Sequence, residues 1–178
     1  MISEGDRRYY LQLARDAIRG TGSLANGRGA PDSPPNAAVF VTLHRGGELR
    51  GCIGHLGYDQ PLTSVVPRCA VAAATEDPRF PAVRPDEVDG LAIEISVLGP
   101  LEPIDGPDEI EIGTHGLVVE EGWHRGLLLP QVATEWQWDA LAFLSHTCRK
   151  AGLHPDAWRH GAQLWRFQAE VFSEDERP

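Results

Sequence analysis

Residues 37–55 read A-A-V-F-V-T-L-H-R-G-G-E-L-R-G-C-I-G-H, and how this stretch doubles back decides what sheet the protein builds. The apolar run from Ala37 to His44 reads as a buried strand. Gly46-Gly47 is a two-residue hairpin signal, and L-R-G-C-I-G (49–54) is the returning strand. A regular hairpin about that turn places Leu43 opposite Arg50, Val41 opposite Cys52, Val39 opposite Gly54 and Phe40 opposite Ile53. Because side chains alternate, Arg50 and Cys52 are then expected on one face, with Leu49, Ile53 and His55 on the other. Glycine within a strand marks a bulge or a close approach by another molecule. Gly51 and Gly54 are therefore expected to open the backbone around Cys52.

On the N-terminal side, Ser3 is a helix cap, Tyr10, Leu11, Ala14, Ala17 and Ile18 recur at helical spacing, and Gly20 is the stop. Residues 21–36, dense in Gly, Pro, Ser and Asn, are expected to form a mobile loop. They are not a phosphate loop, because no strand precedes Gly20, Gly22 and Gly27 and no Gly-Lys-Ser/Thr follows.

On the C-terminal side, Leu62, Val66, Cys69, Ala70 and Ala73 form a helical stripe, with Pro67 placing the helix start near Ser64. D-P-R-F-P (77–81) ends it. Leu91, Ile93, Ile95 and Val97 alternate as a strand, with Glu94 and Ser96 on the opposite face. Short strands follow at E-I-E-I (109–112), G-L-V-V-E (116–120) and G-L-L-L-P (126–130). Thr134 to Gln137 fits a capping box opening a helix with Trp138, Leu141, Leu144, Ser145 and Cys148, closed by Gly152. In the last strand Trp165, Phe167, Ala169 and Val171 form a dry face and Arg166, Gln168 and Glu170 a wet one. Residues 173–178 read as an acidic solvated tail. Hairpin signals outnumber crossovers, so the expected fold is α+β: a single domain over 1–178 with a mainly antiparallel or mixed sheet flanked by helices.

The 178 residues suffice to bury a core without staples. A formal net charge of −10 without a basic stripe argues against nucleic acid. No apolar stretch approaches the ~20 residues that span a bilayer, and no helical segment has a basic face for lipid, so no membrane role is expected. Cys52, Cys69 and Cys148 are odd in number, lack metal-ligand spacing and follow no apolar leader, which points to free thiols in the reducing cytoplasm. No cofactor is called for. No His-Glu-x-x-His or Cys-x-x-Cys occurs, and Cys52 and His55 fall on opposite strand faces, so no metal site is expected.

The chemistry centres on Cys52. A strand cysteine can simply be a small core residue. Alternatively, Arg50 on its face favours the thiolate, and the flanking glycines leave N–H groups for an anion or oxyanion. A nucleophile needs a base, and His115, between Thr114 and Gly116 at a strand entry, is the histidine placed for access. Glu94 on the outward strand face needs water or a partner. Arg79, held between two prolines, is either part of a rigid connection or an anion ligand.

Taken in order, L-R-G-C-I-G, D-P-R-F-P, L-A-I-E-I-S-V-L, I-G-T-H-G-L, L-L-L-P-Q-V-A and T-C-R-K-A-G-L resemble the AMMECR domain family over residues 38–172. The resemblance implies an α+β domain of two lobes, the larger from both chain ends and the smaller from the middle, with a cleft between them. It places the family's motif positions on Arg50, Gly51, Cys52, Ile53 and Gly54, on Asp77, Arg79, Phe80 and Pro81, and on His115 with Gly116. Ala82 stands where a second proline is common. The family's system name, AmmeMemoRadiSam, implies a MEMO-type protein and a radical SAM enzyme as partners. The expected site is catalytic Cys52, His115 and Glu94, with Arg50, Gly51, Gly54, Asp77 and Arg79 binding a small molecule or peptide in the cleft. The alternative is a non-catalytic adaptor that uses the same cleft.

Overall fold

The computed structural model describes residues 2–20 and 30–174. Residues 21–29 of the expected loop and 175–178 of the expected tail lie outside them. Along the chain run α1 (Glu4–Arg19), β1 (Val39–Arg45), β2 (Glu48–His55), α2 (Leu62–Thr75), β3 (Leu91–Leu98), β4 (Glu102–Ile104), β5 (His115–Glu121), β6 (His124–Leu128), α3 (Pro130–Glu135), α4 (Ala140–Lys150) and β7 (Gln163–Ser173). The pairings of β1 with β2 and β3, of β5 with β6 and β7, and of β4 with β7 are antiparallel. The α+β expectation therefore holds. No helix among the described residues is long and apolar enough to cross a membrane. The chain divides into two compact units, Met1–Val97 with Glu170–Pro178, and Leu98–Ala169.

In the first unit β1 lies between β2 and β3. Val39, Val41 and Leu43 of β1, with Ile93 and Ile95 of β3, form a fully buried apolar face that packs with Val65, Val66 and Ala70 of α2 and Tyr10 and Leu13 of α1. α1 begins and ends where expected: Ser3 Oγ accepts from the Asp6 N–H, and Gly20 is left-handed at φ 65°. α2 starts at Leu62, capped by Pro61, so Pro67 lies inside the helix rather than in its first turn. Ser96, expected on the face opposite the apolar row, is fully buried where it pairs with Phe40.

The hairpin turn falls at Gly46-Gly47, both with positive φ as a primed turn requires. Arg45 pairs with Glu48 and His44 with Leu49, and the register then shifts by one, so that Leu43 pairs with Gly51, Thr42 with Cys52, Val41 with Ile53 and Phe40 with Gly54. Arg50 is the extra residue of a bulge. The bulge corrects the regular register: it puts Leu49 on the face of His44, while Ile53 joins the core side.

The two glycines have packing roles that differ from the expected access. Gly51 lies opposite Leu43 on the face that α2 covers, where a Cβ would run into the Ala73 carbonyl. Gly54 faces the other way, and the Phe40 ring occupies the place of its missing side chain.

In the second unit β7 is flanked by β4 and β5, and β5 pairs with β6. Leu117, Val119 and Leu164 pack with Ala133 of α3 and with Phe143, Leu144 and Cys148 of α4. Gly116 again gives its space to a cross-strand ring, that of Phe167. E-I-E-I (109–112) is not a strand but the end of a short 3-10 turn and a following turn. The capping box at Thr134 is also not formed. Thr134 lies in the last turn of α3, and the next helix is capped by Asp139, which accepts from the Ala142 N–H.

The faces of β7 differ from expectation. Leu164, Phe167 and Phe172 are its buried residues, while Val171 is exposed. Leu164 packs into the second core and Phe172 into the first. The charged residues that alternate with them are ion-paired rather than solvated. Arg166 donates to Glu102, and Glu170 accepts from Arg7 and from the Ile2 N–H. Ser173 ends β7 and Glu174 follows it, so these first two residues of the supposed tail are structural. Glu174 accepts from Nε and Nη2 of buried Arg15 and from the Ile93 N–H, while Arg15 also donates to the carbonyls of Val88 and Leu91 at 2.6 Å each.

Replacing Arg15 by alanine leaves two buried carbonyls and a carboxylate without their donor. The expected cost is about 2–4 kcal/mol in urea unfolding, below the range for fully buried pairs because the Glu174 side chain is 28% exposed. Gly51→Ala forces a methyl against helix backbone, which cannot swing aside as a side chain can. A loss of about 1–3 kcal/mol is expected, and an unchanged urea midpoint would show that α2 does not need the close approach.

Candidate functional site

Residues paired across antiparallel strands point to the same face. With the bulge in place, Thr42 of β1 has Cys52 of β2 on one side and Glu94 of β3 on the other. The result is a Cys52–Thr42–Glu94 row on the sheet face turned away from α2. Thr42 Oγ1 donates to Cys52 Sγ at 3.3 Å. Cys52 is half-buried, whereas Cys69 and Cys148 are buried, and none is in a disulfide.

β2 is the terminal strand of its sheet, and the backbone N–H of Cys52 leaves the ladder to donate to Asp77 Oδ2 at 2.8 Å. Asp77 is only 4% exposed. Its carboxylate also accepts from the backbone N–H of Arg79 at 3.1 Å, from Arg79 Nε at 3.0 Å and from Arg79 Nη2 at 2.7 Å. The D-P-R-F-P turn thus folds around its own first side chain, with the Arg79 guanidinium lying over the Phe80 ring. The Arg79 side-chain bonds, assisted by the Cys52 and Arg79 N–H groups, hold the Asp77 carboxyl well below the usual carboxylate range despite its burial. The same pair raises Arg79 above its ordinary value.

These surroundings correct three expectations about Cys52. Burial pushes its thiol up; the Thr42 hydrogen bond and Arg79 act against that rise, and the charges of Asp77 and Glu94 add to it. The thiol is therefore protonated at neutral pH. The cation acting on it is Arg79 and not Arg50, whose guanidinium donates to the Pro81 carbonyl at 2.8 Å, the Ala82 carbonyl at 3.4 Å and Glu87 Oε2 at 3.3 Å. The cause is the bulge, with Arg50 stapling the 81–87 segment instead of lying beside the sulfur. The Cys52 N–H, expected to be open to an oxyanion, is already bonded to Asp77.

The structure brings Cys52, Glu94, Asp77 and Arg79 together in the first unit, with Gly51 and Gly54 as packing residues of the same strand. His115 belongs to the second unit, where it opens β5 and is 9% exposed. Its Nδ1 accepts from the Glu111 N–H at 3.0 Å, which leaves the ring proton on Nε2. Gly116 provides room for Phe167.

Sequence reading missed two members of this region. Thr42 sits in an apolar run and becomes visible only once the bulge sets the register. Glu87 looks like one more surface acid in R-P-D-E, but it is 5% exposed and accepts from Arg45, Arg50 and the Arg84 N–H. The arginines around the hairpin were the available signal, since Arg45 and Arg50 converge on one point and call for a carboxylate there.

The row therefore offers a protonated thiol, a hydroxyl and a carboxylate on a stiff sheet face. Beside them lies a guanidinium whose side chain is 55% exposed and whose Nη1 takes no part in the Asp77 clamp.

Comparison with known proteins agrees with the motif reading. The AMMECR1 family model matches residues 11–172. A protein of Methanothermobacter thermautotrophicus is 46% identical over 190 residues, covering 98% of this chain and 97% of its own length. A protein of Methanosarcina mazei is 44% identical over 189 residues, covering 99% and 95%. Among solved structures, that of the uncharacterized protein PH0010 from Pyrococcus horikoshii matches with a TM-score of 0.86 at 41% identity, covering 98% of this chain and 94% of that one. The chain belongs to the AMMECR1 family.

Proposed function

We propose that the protein is a binding subunit of the system shared with a MEMO-type protein and a radical SAM enzyme. In this reading the Cys52–Thr42–Glu94 row and Arg79 hold a small molecule or peptide and present it to those cytoplasmic partners. Arg79 takes an anionic group of the ligand through its exposed edge, and the thiol, hydroxyl and carboxylate of the row read its polar part. The supporting observation is the Asp77 clamp. It occupies the Cys52 N–H and fixes Arg79, and its charge adds to the burial that keeps the thiol protonated. A nucleophilic cysteine calls for the opposite arrangement.

A second reading rests on the half-exposure of Cys52 and the carboxylate in its row. Cys52 Sγ bonds to a carbonyl carbon of the ligand, the carbonyl π pair moves to its oxygen, and the thiol proton is carried by Glu94 to that oxygen.

Iodoacetamide labelling read by mass spectrometry separates the two readings. Under the binding reading Cys52 labels faster than buried Cys69 and Cys148 but more slowly than free cysteine at pH 7.5. Its rate should rise only above the ordinary thiol range of roughly 8.5, because a raised pKa delays the thiolate. Labelling at pH 6–7 faster than a free thiol would overturn this reading in favour of the nucleophile. In an anaerobic pull-down with the two partners, Cys52→Ser is expected to retain binding.

Asp77→Asn keeps an acceptor for the Cys52 N–H but removes one of the charges that add to the effect of burial on the thiol. Labelling of Cys52 at pH 7.5 is then expected to accelerate severalfold, by less than about tenfold. The same variant should change acid stability. A carboxyl held down in the folded state stabilises the protein above its unfolded value of about 3.9, and that contribution is lost as pH falls below it. The wild-type protein should therefore lose stability below about pH 4 more steeply than Asp77→Asn in urea titrations.

A further inference from the structure

T-E-W-Q-W-D, residues 134–139, lies wholly in the second unit. α3 ends at Glu135, and the chain reverses through Trp136, Gln137 and Trp138. The Gln137 N–H donates to the Thr134 carbonyl at 3.2 Å and the Trp138 N–H to the Ala133 carbonyl at 2.9 Å. This is the helix-ending turn whose left-handed position is usually glycine. Here it is filled by Gln137 at φ 54°, the only non-glycine residue with positive φ among the described residues.

The turn sets two indoles on one side. Trp136 stacks on Trp138 with centroids 6.1 Å apart and planes 19° apart, and Trp138 stacks on His146 of α4 at 3.8 Å and 5°. The inner end of this three-ring ladder is anchored, because Trp138 packs against the core of the unit. The outer end is not, since Trp136 is 67% exposed and Leu141 nearby in sequence is 45% exposed. Tryptophan is among the residues enriched where proteins bind one another, and this one is backed by the stack beneath it.

Charge identifies the kind of partner. Exposed Glu135 and Asp139 bracket the two tryptophans, whereas the basic residues Arg149 and Lys150 lie in the last turn of α4 beyond His146. In sequence Glu135 adjoins the outer ring, Trp136, and Asp139, whose Oδ1 caps α4, adjoins the inner one, on a chain of net charge −10. We propose that Trp136 is a docking point for a basic segment of a partner protein, with an arginine guanidinium lying flat on the outer indole face and Glu135 and Asp139 facing its charge. Arginine fits better than lysine because it stacks on a ring and pairs with carboxylates at the same time. This surface is independent of the cysteine row, so either reading can fail alone.

The test is a titration of the full-length chain with acetyl-Arg-Arg-Arg-amide, followed by the indole N–H resonances of Trp136 and Trp138, alongside the neutral, equally planar citrulline tripeptide. A saturable shift that weakens with salt is expected, with no response to citrulline. Trp136→Ala should weaken binding by about two- to fivefold. Glu135→Lys, which keeps every ring but reverses one charge, should weaken it too. Unchanged affinity in both variants, with native melting curves, would overturn the proposal. Equal binding of the citrulline peptide would also overturn it, by making the site one for neutral planar groups. A dimer of the wild-type chain that Trp136→Ala abolishes, without peptide binding, would do so by making the occupant a second copy.

Discussion

The Asp77 carboxylate is the contact on which the candidate site of the first unit depends. A terminal strand exposes N–H groups that invite another strand, and β2 directs one of these, from Cys52, to Asp77. The same carboxylate takes three donors from Arg79. One side chain thereby closes part of a sheet edge, shapes the D-P-R-F-P turn and adds its charge to the burial that raises the thiol. Its two prolines limit the conformations the turn can adopt, so the guanidinium is held in place even though it is more than half exposed. The motif read as a helix-to-strand connection and the motif read as a reactive strand are thus one structure joined at a carboxylate.

Strands and helices with strong periodicity were legible in the sequence, as were the Gly46-Gly47 turn, the Ser3 cap and the Gly20 stop. What escaped was set by long-range packing. The bulge at Arg50 goes with contacts outside the hairpin, since the 81–87 segment supplies two carbonyls and Glu87 for its guanidinium. The turn after α3 escaped because a glutamine takes the left-handed position where glycine would have signalled a stop, and a capping box at Thr134 then looked plausible. The strand β7 was misread because its apolar and charged residues both serve the buried side. Charges there, such as Glu170, are paired to arginines that lie far away in sequence.

In the candidate site, residue types were legible but their partners were not. Cys52, Glu94, Asp77 and Arg79 do gather, although register alone would have joined Cys52 to Arg50. The glycines show the same limit. A glycine in a strand signals that something comes close, and here the visitors are the Ala73 carbonyl and the Phe40 ring, both from within the protein. The repeat of the glycine–phenylalanine arrangement at Gly116 and Phe167 shows it to be a general device by which these sheets seat a large ring where two side chains would collide.

The path of β7 through both cores has a consequence for biosynthesis. The second unit is a continuous stretch, Leu98–Ala169, whereas the first is assembled from two stretches that flank it in the chain. The first unit begins earlier but is completed later, since Phe172 of its core and the Glu174 partner of Arg15 follow the whole of the second unit in the chain. The thiol-bearing half of the molecule thus stays incomplete until synthesis has passed residue 174, and a chain stopped short of it would carry Arg15 without its carboxylate partner.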